Sequence, residues 1–203
     1  MKQGRFIVLE GLDGSGKSTA AQMLKEALTQ AGSPEPLLTR EPSDGPIGRL
    51  IRQALTREIT LDPKTFTLLF AADRYEHVLG EVLPALAEGR DVLCDRYYFS
   101  NLAYQGDVAP FETILSFNSL ARGAITPDKV FFIDTPPEEC MRRIHSGRDV
   151  EDELFERIDK LKSVQSLYMA AFERLKEEEN VICIDGMLPP EGVCAEMMAN
   201  LQK

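Results

Sequence analysis

A complete phosphate-binding loop of the form G-x-x-x-x-G-K-S/T occupies positions 11–18, reading Gly11-Leu12-Asp13-Gly14-Ser15-Gly16-Lys17-Ser18. An apolar, β-branched run at 6–9 predicts a buried strand before it, and apolar side chains at helical spacing over 18–28 predict a helix after it. In that setting, backbone N–H groups and the helix N-terminus surround an anion. The loop therefore predicts an α/β fold that binds a nucleoside triphosphate, with Lys17 on the β- and γ-phosphates and Ser18 on Mg²⁺.

Chain length and net charge limit the classes of protein to which this chain can belong. The 203 residues suit one domain with its own core, and we expect the whole chain, 1–203, to be that domain. A net charge of −10 argues against a general nucleic-acid binder, which needs a basic surface, but it allows a small anionic substrate. No apolar run approaches the roughly 20 residues of a membrane span, and the N-terminus lacks a signal pattern. We therefore expect a cytoplasmic protein without membrane contact.

The cysteines and histidines do not indicate a metal site. The four cysteines are Cys94, Cys140, Cys183 and Cys194. They show no C-x-x-C spacing, and the two histidines, His77 and His145, are far apart in the sequence. Because Cys94 and Cys183 fall in apolar, strand-like runs, we expect buried, reduced thiols.

Strand and helix patterns alternate along the rest of the chain. Apolar runs predict further strands at 36–40, 91–95, 129–134 and 181–184, with helical patterns between them. Asp62-Pro63 predicts a helix start, and Gly80 and Pro84 predict a break or kink in that helix. Alternation of this kind favours a three-layer α/β fold, with five parallel strands and helices on both faces. Ligands bind at the carboxyl ends of such strands.

Two predicted strands end in an aspartate that can complete a magnesium site. Asp95 is followed by Arg96, whereas Asp134 is followed by Thr135-Pro136-Pro137. An acid beside an arginine can hold a metal and a phosphate side by side, because the planar guanidinium binds phosphate oxygens in pairs. We favour Asp95 on this ground, with a helix cap and surface ion pair as the alternative.

Three further features each have a functional and a structural interpretation. Phe70 and Arg74 share one face of a predicted helix, where they can form a base pocket or lie in the core. The segment 100–105 can line a pocket or pack a helix. The arginine-rich stretch 142–157, with a bend at Gly147, can be a mobile lid over transferring phosphates or a solvated helix face.

Together, these blocks resemble the thymidylate kinases, a family of nucleoside-monophosphate kinases with the P-loop kinase fold. The resembling blocks, in family order, are FIVLEGLDGSGKST (6–19), TREP (39–42), LLFAADR (68–74), DRYYFSNLAYQG (95–106), PDKVFFIDTPPE (127–138) and the lid. They cover nearly the whole chain, and the fourth block is far more specific than the phosphate loop.

The resemblance implies phosphoryl transfer from ATP to dTMP, giving dTDP, with Mg²⁺ and in a homodimer. The implied ATP site consists of Gly11, Leu12, Asp13, Gly14, Ser15, Gly16, Lys17, Ser18, Thr19 and Arg143. The implied dTMP site consists of Asp13, Arg40, Pro42, Phe70, Arg74, Arg96, Asn101, Tyr104 and Gln105. dUMP, which lacks only one methyl group, would be a weaker acceptor.

Particular roles follow from the same resemblance. Phe70 would stack on thymine, Arg74 would bond its carbonyl group, and Asn101 would read its edge. Arg96 would hold the acceptor phosphate, with Tyr104 beside the deoxyribose, and Arg143 would lie against adenine. Ser18 would hold magnesium, together with the Asp95 favoured above from its neighbouring residues. Catalysis would depend on Lys17, Arg96, Arg148 and Asp13.

The phosphate loop departs from part of the family. Some members carry a basic residue within the loop, where this chain has Gly14 and Ser15. Members without that cation take it from the lid, here around 145–152, which implies a catalytic role for Arg148. The family also often has a cis peptide bond before the proline at position 42.

Other functions remain open at this stage. One is a kinase of the same fold that acts on another nucleotide or on a deoxynucleoside. A second is a nucleotide switch that binds partners, although the N-K-x-D motif typical of guanine-specific switches is absent. A third is a paralogue that binds nucleotide without chemistry, against which the intact Lys17, Asp95 and Arg96 argue.

Overall fold

A five-stranded parallel sheet forms the centre of the computed structural model, which describes residues 3–144 and 151–202. Its strands are β1 (Phe6–Glu10), β2 (Leu37–Arg40), β3 (Val92–Asp95), β4 (Lys129–Asp134) and β5 (Val181–Asp185). They lie in the order β2-β3-β1-β4-β5, and every neighbouring pair is parallel. The predicted fold class is confirmed.

Helices make the connections between the parallel strands. They are α1 (Lys17–Gln30), α2 (Pro46–Leu55), α3 (Pro63–His77), α4 (Leu83–Ala87), α5 (Tyr98–Tyr104), α6 (Phe111–Phe117), α7 (Ser119–Ala124), α8 (Pro137–Ile144), α9 (Glu151–Leu175) and α10 (Pro190–Leu201). As predicted, Asp62 caps α3, because its Oδ1 accepts from the backbone N–H groups of Lys64 (2.9 Å) and Thr65 (3.2 Å). The break predicted near Gly80 is a π-helical turn, Val78–Val82, between α3 and α4.

Alternating side chains of β1 divide the apolar core into two layers. Phe6 and Val8 pack with residues of α5 and α9, whereas Ile7 and Leu9 pack with residues of α1 and α10. β1 is the central strand and is covered on both faces. Its carboxyl end therefore places Glu10 and the phosphate loop in the middle of the row formed by the carboxyl ends of the five strands. Among the helices just named, none is long and apolar enough to cross a membrane.

One expectation about the cysteines is wrong. Cys183 is exposed, because β5 is an edge strand with a neighbouring strand on one side only. Cys94 is buried as expected, and so are Cys140 and Cys194; all four thiols are free. The short helices α6 and α7 were not predicted from the sequence.

Candidate active site

The phosphate loop connects β1 to α1 and takes its shape from glycine. Gly14 and Gly16 have φ angles of 78° and 100°, in the left-handed region that residues with a Cβ rarely adopt. A Cβ on Gly14 would also lie 2.5 Å from the carbonyl oxygen of Cys140 in α8. The loop can therefore pack closely against α8, and α1 begins at Lys17, within the last two residues of the loop.

Lys17 folds back across this loop. Its Nζ donates to the carbonyl oxygens of Gly11 (3.1 Å) and Leu12 (2.8 Å), and the side chain is buried. Burial, together with the nearby charge of Arg96, lowers the pKa of Lys17 to about 8. The ammonium group is thus a desolvated cation at a helix N-terminus, where an anionic phosphate would stabilise it.

Ser18 and Asp95 form the oxygen pair that the sequence favours for magnesium. The Ser18 hydroxyl donates to Asp95 Oδ2 at 3.0 Å. This contact arises because β3, which ends at Asp95, lies beside β1. The other candidate, Asp134, ends β4 and accepts a hydrogen bond from Gln165 Nε2 at 2.8 Å. Two adjacent hard oxygen ligands at the mouth of the phosphate loop suit a magnesium ion.

A cavity of about 250 Å³ opens beside the phosphate loop. Its lining residues are Asp13, Pro42, Leu55, Phe66, Phe70, Arg96, Ser100, Asn101, Tyr104 and Gln105. Seven of these belong to the predicted dTMP site, so we call this space the acceptor cavity. Its aromatic wall includes Phe70, which packs edge-on against Phe66 with ring centroids 4.9 Å apart. An apolar wall with a few polar groups is typical of small-molecule sites.

Arg74, also predicted to contact the base, is not among the lining residues. It is fully buried, with Nη2 at 2.7 Å from Glu41 Oε2 and 3.1 Å from the Tyr97 carbonyl oxygen. Its Nη1 donates to Asn118 Oδ1. The guanidinium therefore supports the wall of the acceptor cavity from behind, through partners that sequence spacing does not indicate.

The TREP segment divides between two cavities. Pro42 follows a cis peptide bond, as the resemblance implied, and lines the acceptor cavity. Arg40 is exposed and lines a neighbouring cavity together with Ser18 and Asp95. The structure thus places Arg40 beside Ser18 and Asp95 rather than among the acceptor-cavity residues.

Arg96 joins the acceptor cavity to the phosphate loop. Its Nη2 lies 2.6 Å from Asp13 Oδ1, and its guanidinium lies over the Tyr104 ring, 4.9 Å from the centroid. Burial alone would raise the pKa of Asp13 and lower that of Arg96. Their mutual attraction, together with the groups around them, outweighs burial, so the pKa of Asp13 is lowered and that of Arg96 is raised well above its usual value. The φ angle of Arg96 is 77°, a strained conformation of the kind that concentrates at functional sites.

A buried network holds Arg96 from behind. Its Nη1 donates to the hydroxyl oxygens of Ser100 (2.8 Å) and Tyr168 (3.1 Å). Both hydroxyls also lie within hydrogen-bond distance of Glu10 Oε2, at 2.6 and 2.9 Å. Glu10 is fully buried, and burial raises its pKa despite the opposing charge of Arg96 and these hydrogen bonds.

A second cavity, of about 340 Å³, lies on the α10 side of the phosphate loop. Ser15, Gly16 and Thr19 line it together with Arg143. Arg143 donates to the carbonyl oxygens of Ser15 (3.2 Å) and Gly186 (3.0 Å) and so spans from the loop to the segment after β5. The predicted lid residue Arg148 lies outside the described residues.

Glu41, His77 and Cys94 form a buried cluster whose ligand atoms all lie within 4.8 Å of one another. The chemistry of the donors is unfavourable for a cation. Glu41 already pairs with Arg74, and burial keeps the Cys94 thiol protonated by raising its pKa well above the usual value. His77 lies 3.3 Å from Glu41 Oε1 and 2.8 Å from Thr39 Oγ1. We interpret the cluster as a buried hydrogen-bonded support that joins α3 to the end of β2.

Known proteins with sequences similar to this one carry the name of one enzyme family. Residues 9–197 match the family model for thymidylate kinase. A probable thymidylate kinase from Pyrobaculum calidifontis is 37% identical over 199 residues, which cover 98% of this chain and 96% of the relative. One from Pyrococcus horikoshii is 45% identical over 148 residues, 70% of each chain. A thymidylate kinase from Desulfotalea psychrophila is 40% identical over 166 residues, 81% of this chain and 80% of the relative.

The chain belongs to the thymidylate kinase family. It is therefore a transferase, and the resemblance stated from its motifs is confirmed. Thymidylate kinase motifs nevertheless left several site residues unassigned, among them Glu10, Tyr168, Asn118 and Gly186. Glu10 carried a signal, since it is an acid between an apolar strand and Gly11. Tyr168 and Asn118 carried none, because only tertiary packing brings α9 and the α6–α7 junction to the site.

Proposed function

We propose that this protein transfers the γ-phosphoryl group of ATP to the phosphate of dTMP, giving ADP and dTDP. The supporting observation is that the acceptor cavity and the space around Lys17 and Ser18 share Asp13 and Arg96. A monophosphate bound over Phe70 would thus reach the phosphate loop at the Asp13–Arg96 pair. Catalysis of phosphoryl transfer depends mainly on such alignment and on neutralising charge.

The residues of the site divide the work of transfer between them. Lys17 exchanges the carbonyl oxygens of Gly11 and Leu12 for the β- and γ-phosphates of ATP. The buried ammonium group then has negatively charged partners instead of neutral ones. Arg96 holds the acceptor phosphate and neutralises its charge as it approaches the γ-phosphate. Because the attacking phosphate oxygen is already anionic, no general base is required. Arg148 is proposed to supply the lid cation that the phosphate loop lacks.

Magnesium fits the donor set of the site. Ser18 and Asp95 would hold the ion, which would neutralise phosphate charge when bound. The carboxylate of Asp95 and the hydroxyl of Ser18 are hard oxygen donors, as magnesium prefers. Removal of divalent ions with a chelator should therefore abolish turnover, and the loss should be reversed by added Mg²⁺.

The acceptor cavity supports thymine as the base. Phe70 offers an aromatic face, and Asn101 and Gln105 offer polar groups for the edge of the ring. Tyr104 would crowd a 2′-hydroxyl on the acceptor sugar. dUMP should be used less well than dTMP, because one buried methyl group is worth about 1–3 kcal/mol. A homodimer stays a prediction from the resemblance, which sedimentation equilibrium tests, and a cytoplasmic location stays a prediction from the sequence pattern.

The decisive experiment measures ADP production with ATP and each of dTMP, dUMP, dCMP and AMP. Turnover should be highest with dTMP; turnover with dCMP or AMP but none with dTMP would overturn the proposal. Arg96→Ala should abolish use of the acceptor while ATP binding survives. Arg122→Ala is the matched control, because Arg122 also pairs with a carboxylate (Glu178, 2.8 Å) and lies over a tyrosine ring, but outside these cavities.

A further inference from the structure

We propose that Cys94 is a positioning residue for Arg96, whose backbone it holds by a hydrogen bond from its thiol group. The inference rests on the proposed function, since it concerns the residue that would bind the acceptor phosphate. Cys94 is fully buried in β3 and is not a lining residue of the acceptor cavity. It would therefore act through Arg96 rather than touch the nucleotide itself.

The thiol group of Cys94 is bonded to the backbone two residues further along the chain. Its Sγ lies 3.1 Å from the carbonyl oxygen of Arg96, and a carbonyl oxygen can only accept, so the thiol donates. Within residues 3–144 and 151–202, Cys94 is the only donor to this oxygen. The Arg96 N–H donates to the carbonyl oxygen of Leu9 at 2.9 Å. Both backbone polar groups of Arg96 thus have a partner, and Cys94 supplies one of the two.

This hydrogen bond depends on the turn by which the chain leaves β3. Two residues of an extended strand span roughly 6.6 Å, so a side chain cannot reach the carbonyl group two positions ahead unless the backbone turns. The turn includes Arg96, whose φ angle of 77° belongs to the left-handed region that residues with a Cβ rarely adopt. The thiol bond is therefore made in the left-handed conformation and is lost if Arg96 relaxes to an extended one. It stabilises the strained conformation selectively.

The groups around the thiol leave it to make this bond. Cys94 Sγ also lies within 4.8 Å of ligand atoms of Glu41 and His77. Glu41 lies 2.7 Å from Arg74 and 3.3 Å from His77, so its carboxylate already has two partners. A thiol has one hydrogen, and in this cluster that hydrogen goes to Arg96.

The guanidinium group of Arg96 is held in place at both ends of the residue. The hydroxyl groups of Ser100 and Tyr168 accept from it and hold the outer end. Cys94 holds the backbone end, from which the side chain extends to Asp13 at 2.6 Å. A relaxed backbone would turn the Cα–Cβ bond and draw the guanidinium away from the phosphate loop. Misalignment of this kind weakens both binding and catalysis.

Serine and alanine at position 94 separate the hydrogen bond from the packing of the sulfur atom. Both substitutions remove the sulfur, but Cys94→Ser keeps a donor whereas Cys94→Ala has none. NMR titrations measure the Kd of thymidine and of dTMP, which differ only in the phosphate that Arg96 would hold. We expect Cys94→Ala to lower the ratio of these constants, thymidine to dTMP, at least about tenfold, with the Kd of thymidine unchanged. Cys94→Ser should stay within about threefold of the wild-type ratio.

Cys140→Ala is the matched control. Cys140 is also buried, and its thiol also donates to a carbonyl oxygen, that of Thr135 at 3.5 Å, but it lies in α8. The control should keep the wild-type ratio of the two constants. Steady-state kinetics add a second readout: kcat with dTMP should fall in Cys94→Ala and recover in Cys94→Ser, with the KM for ATP unchanged in both. An equal fall of the ratio in Cys140→Ala would assign the effect to a general loss of packing and overturn the role of Cys94.

The remaining outcomes separate the inference from the proposed function. If the wild type binds dTMP more tightly than thymidine, and Cys94→Ala keeps that ratio or Cys94→Ser loses it equally, the role of Cys94 is overturned and the proposed function stands. If the wild type neither binds nor uses dTMP, the proposed function fails and the inference falls with it. Should Cys94→Ala not fold, Cys94→Thr and Cys94→Val replace the pair, because they have the same shape with and without a hydroxyl group. Equal ratios in those two variants overturn the role.

Discussion

Arg96 and Glu10 are joined through the hydroxyl groups of Ser100 and Tyr168. A guanidinium has no acceptor, so Arg96 must donate to both hydroxyl oxygens, which leaves their hydrogens free to point toward the carboxylate of Glu10. A fully buried carboxylate therefore fixes the orientation of the cation that reaches Asp13 at 2.6 Å. The same network explains how a residue with a left-handed backbone is held in one conformation.

Replacing Glu10 with glutamine should impair catalysis more than ATP binding. In Glu10→Gln the amide oxygen must stay toward the backbone N–H groups of Tyr97 and Ser100, which can only donate. The NH₂ group then replaces Oε2, so the hydroxyl groups of Ser100 and Tyr168 lose their acceptor. Arg96 then loses its fixed orientation. We expect kcat with dTMP to fall about 10- to 100-fold, because small displacements of aligned groups have effects of that order. Steady-state kinetics and an ATP titration measure the two effects separately.

Glu179→Gln is the matched control for this substitution. Glu179 is also buried, accepts from the Tyr98 hydroxyl and lies 3.6 Å from Arg122. It precedes β5 and so lies at the amino ends of the parallel strands, whereas the phosphate loop lies at their carboxyl ends. The control should lower the Tm but leave turnover near that of the wild type. If both variants lost turnover equally, Glu10 would have only a structural role.

The lowered pKa of Lys17 predicts proton uptake when ATP binds. In the free protein the ammonium group loses its proton as the pH rises through about 8. Phosphates favour the charged form and raise this pKa, so binding above about pH 8 takes up a proton and the affinity falls as the pH rises further. Calorimetry in two buffers of different ionisation enthalpy measures the uptake. Lys17→Met should take up none, and a wild-type affinity that does not change from pH 7 to about 9 would contradict the prediction.

Local sequence patterns were sufficient for the parts of the fold that neighbouring residues determine. The five strands, the cap at Asp62 and the phosphate loop all follow from spacing within about a dozen residues. The choice of Asp95 over Asp134 also followed from a local cue, the adjacent Arg96. The contact between Asp95 and Ser18 agrees with that choice.

Long-range packing accounts for what the sequence could not predict. Arg74 shares a helix face with Phe70, but its partners Glu41 and Asn118 come from distant segments and draw it behind the cavity wall. The exposure of Cys183 depends on the position of β5 at the sheet edge, which an apolar run of residues does not reveal. Such features depend on which elements become neighbours, and one sequence carries little direct signal for that.

Gly186→Ala should weaken ATP binding, because Gly186 packs against Thr135, which is hydrogen-bonded to the phosphate loop. A Cβ at this position would lie 1.9 Å from Thr135 Oγ1 and 2.9 Å from the Asp134 carbonyl oxygen. Thr135 Oγ1 donates to the Ser15 carbonyl oxygen at 3.0 Å, so its displacement would reach the loop. We expect a loss of about 1–3 kcal/mol in the free energy of unfolding, as for other overpacked sites, and a higher Kd for ATP. Differential scanning calorimetry and an ATP titration measure the two changes.

Gly123→Ala is the matched control for Gly186→Ala. Gly123 lies in α7, and a Cβ there would have nothing within 4 Å. Alanine also has the higher helix propensity, so this variant should be as stable as the wild type or more stable by up to about 1 kcal/mol. ATP affinity should not change. An equal loss of ATP affinity in both variants would contradict the proposed path through Thr135.

The stability of the protein should decrease with pH in a window set by His77. Burial alone would lower the pKa of His77, but its hydrogen bond with Glu41 and the charges of Glu41, Glu81 and Asp73 more than offset this effect and raise it above 6.5. A raised folded-state pKa means that the stabilisation is fully present below pH 6.5 and is lost as the pH rises through that pKa. Urea unfolding from about pH 6 upward should therefore show a falling free energy of unfolding, and His77→Gln should lack this part of the decrease. The same pH slope in both proteins would assign the decrease to another group.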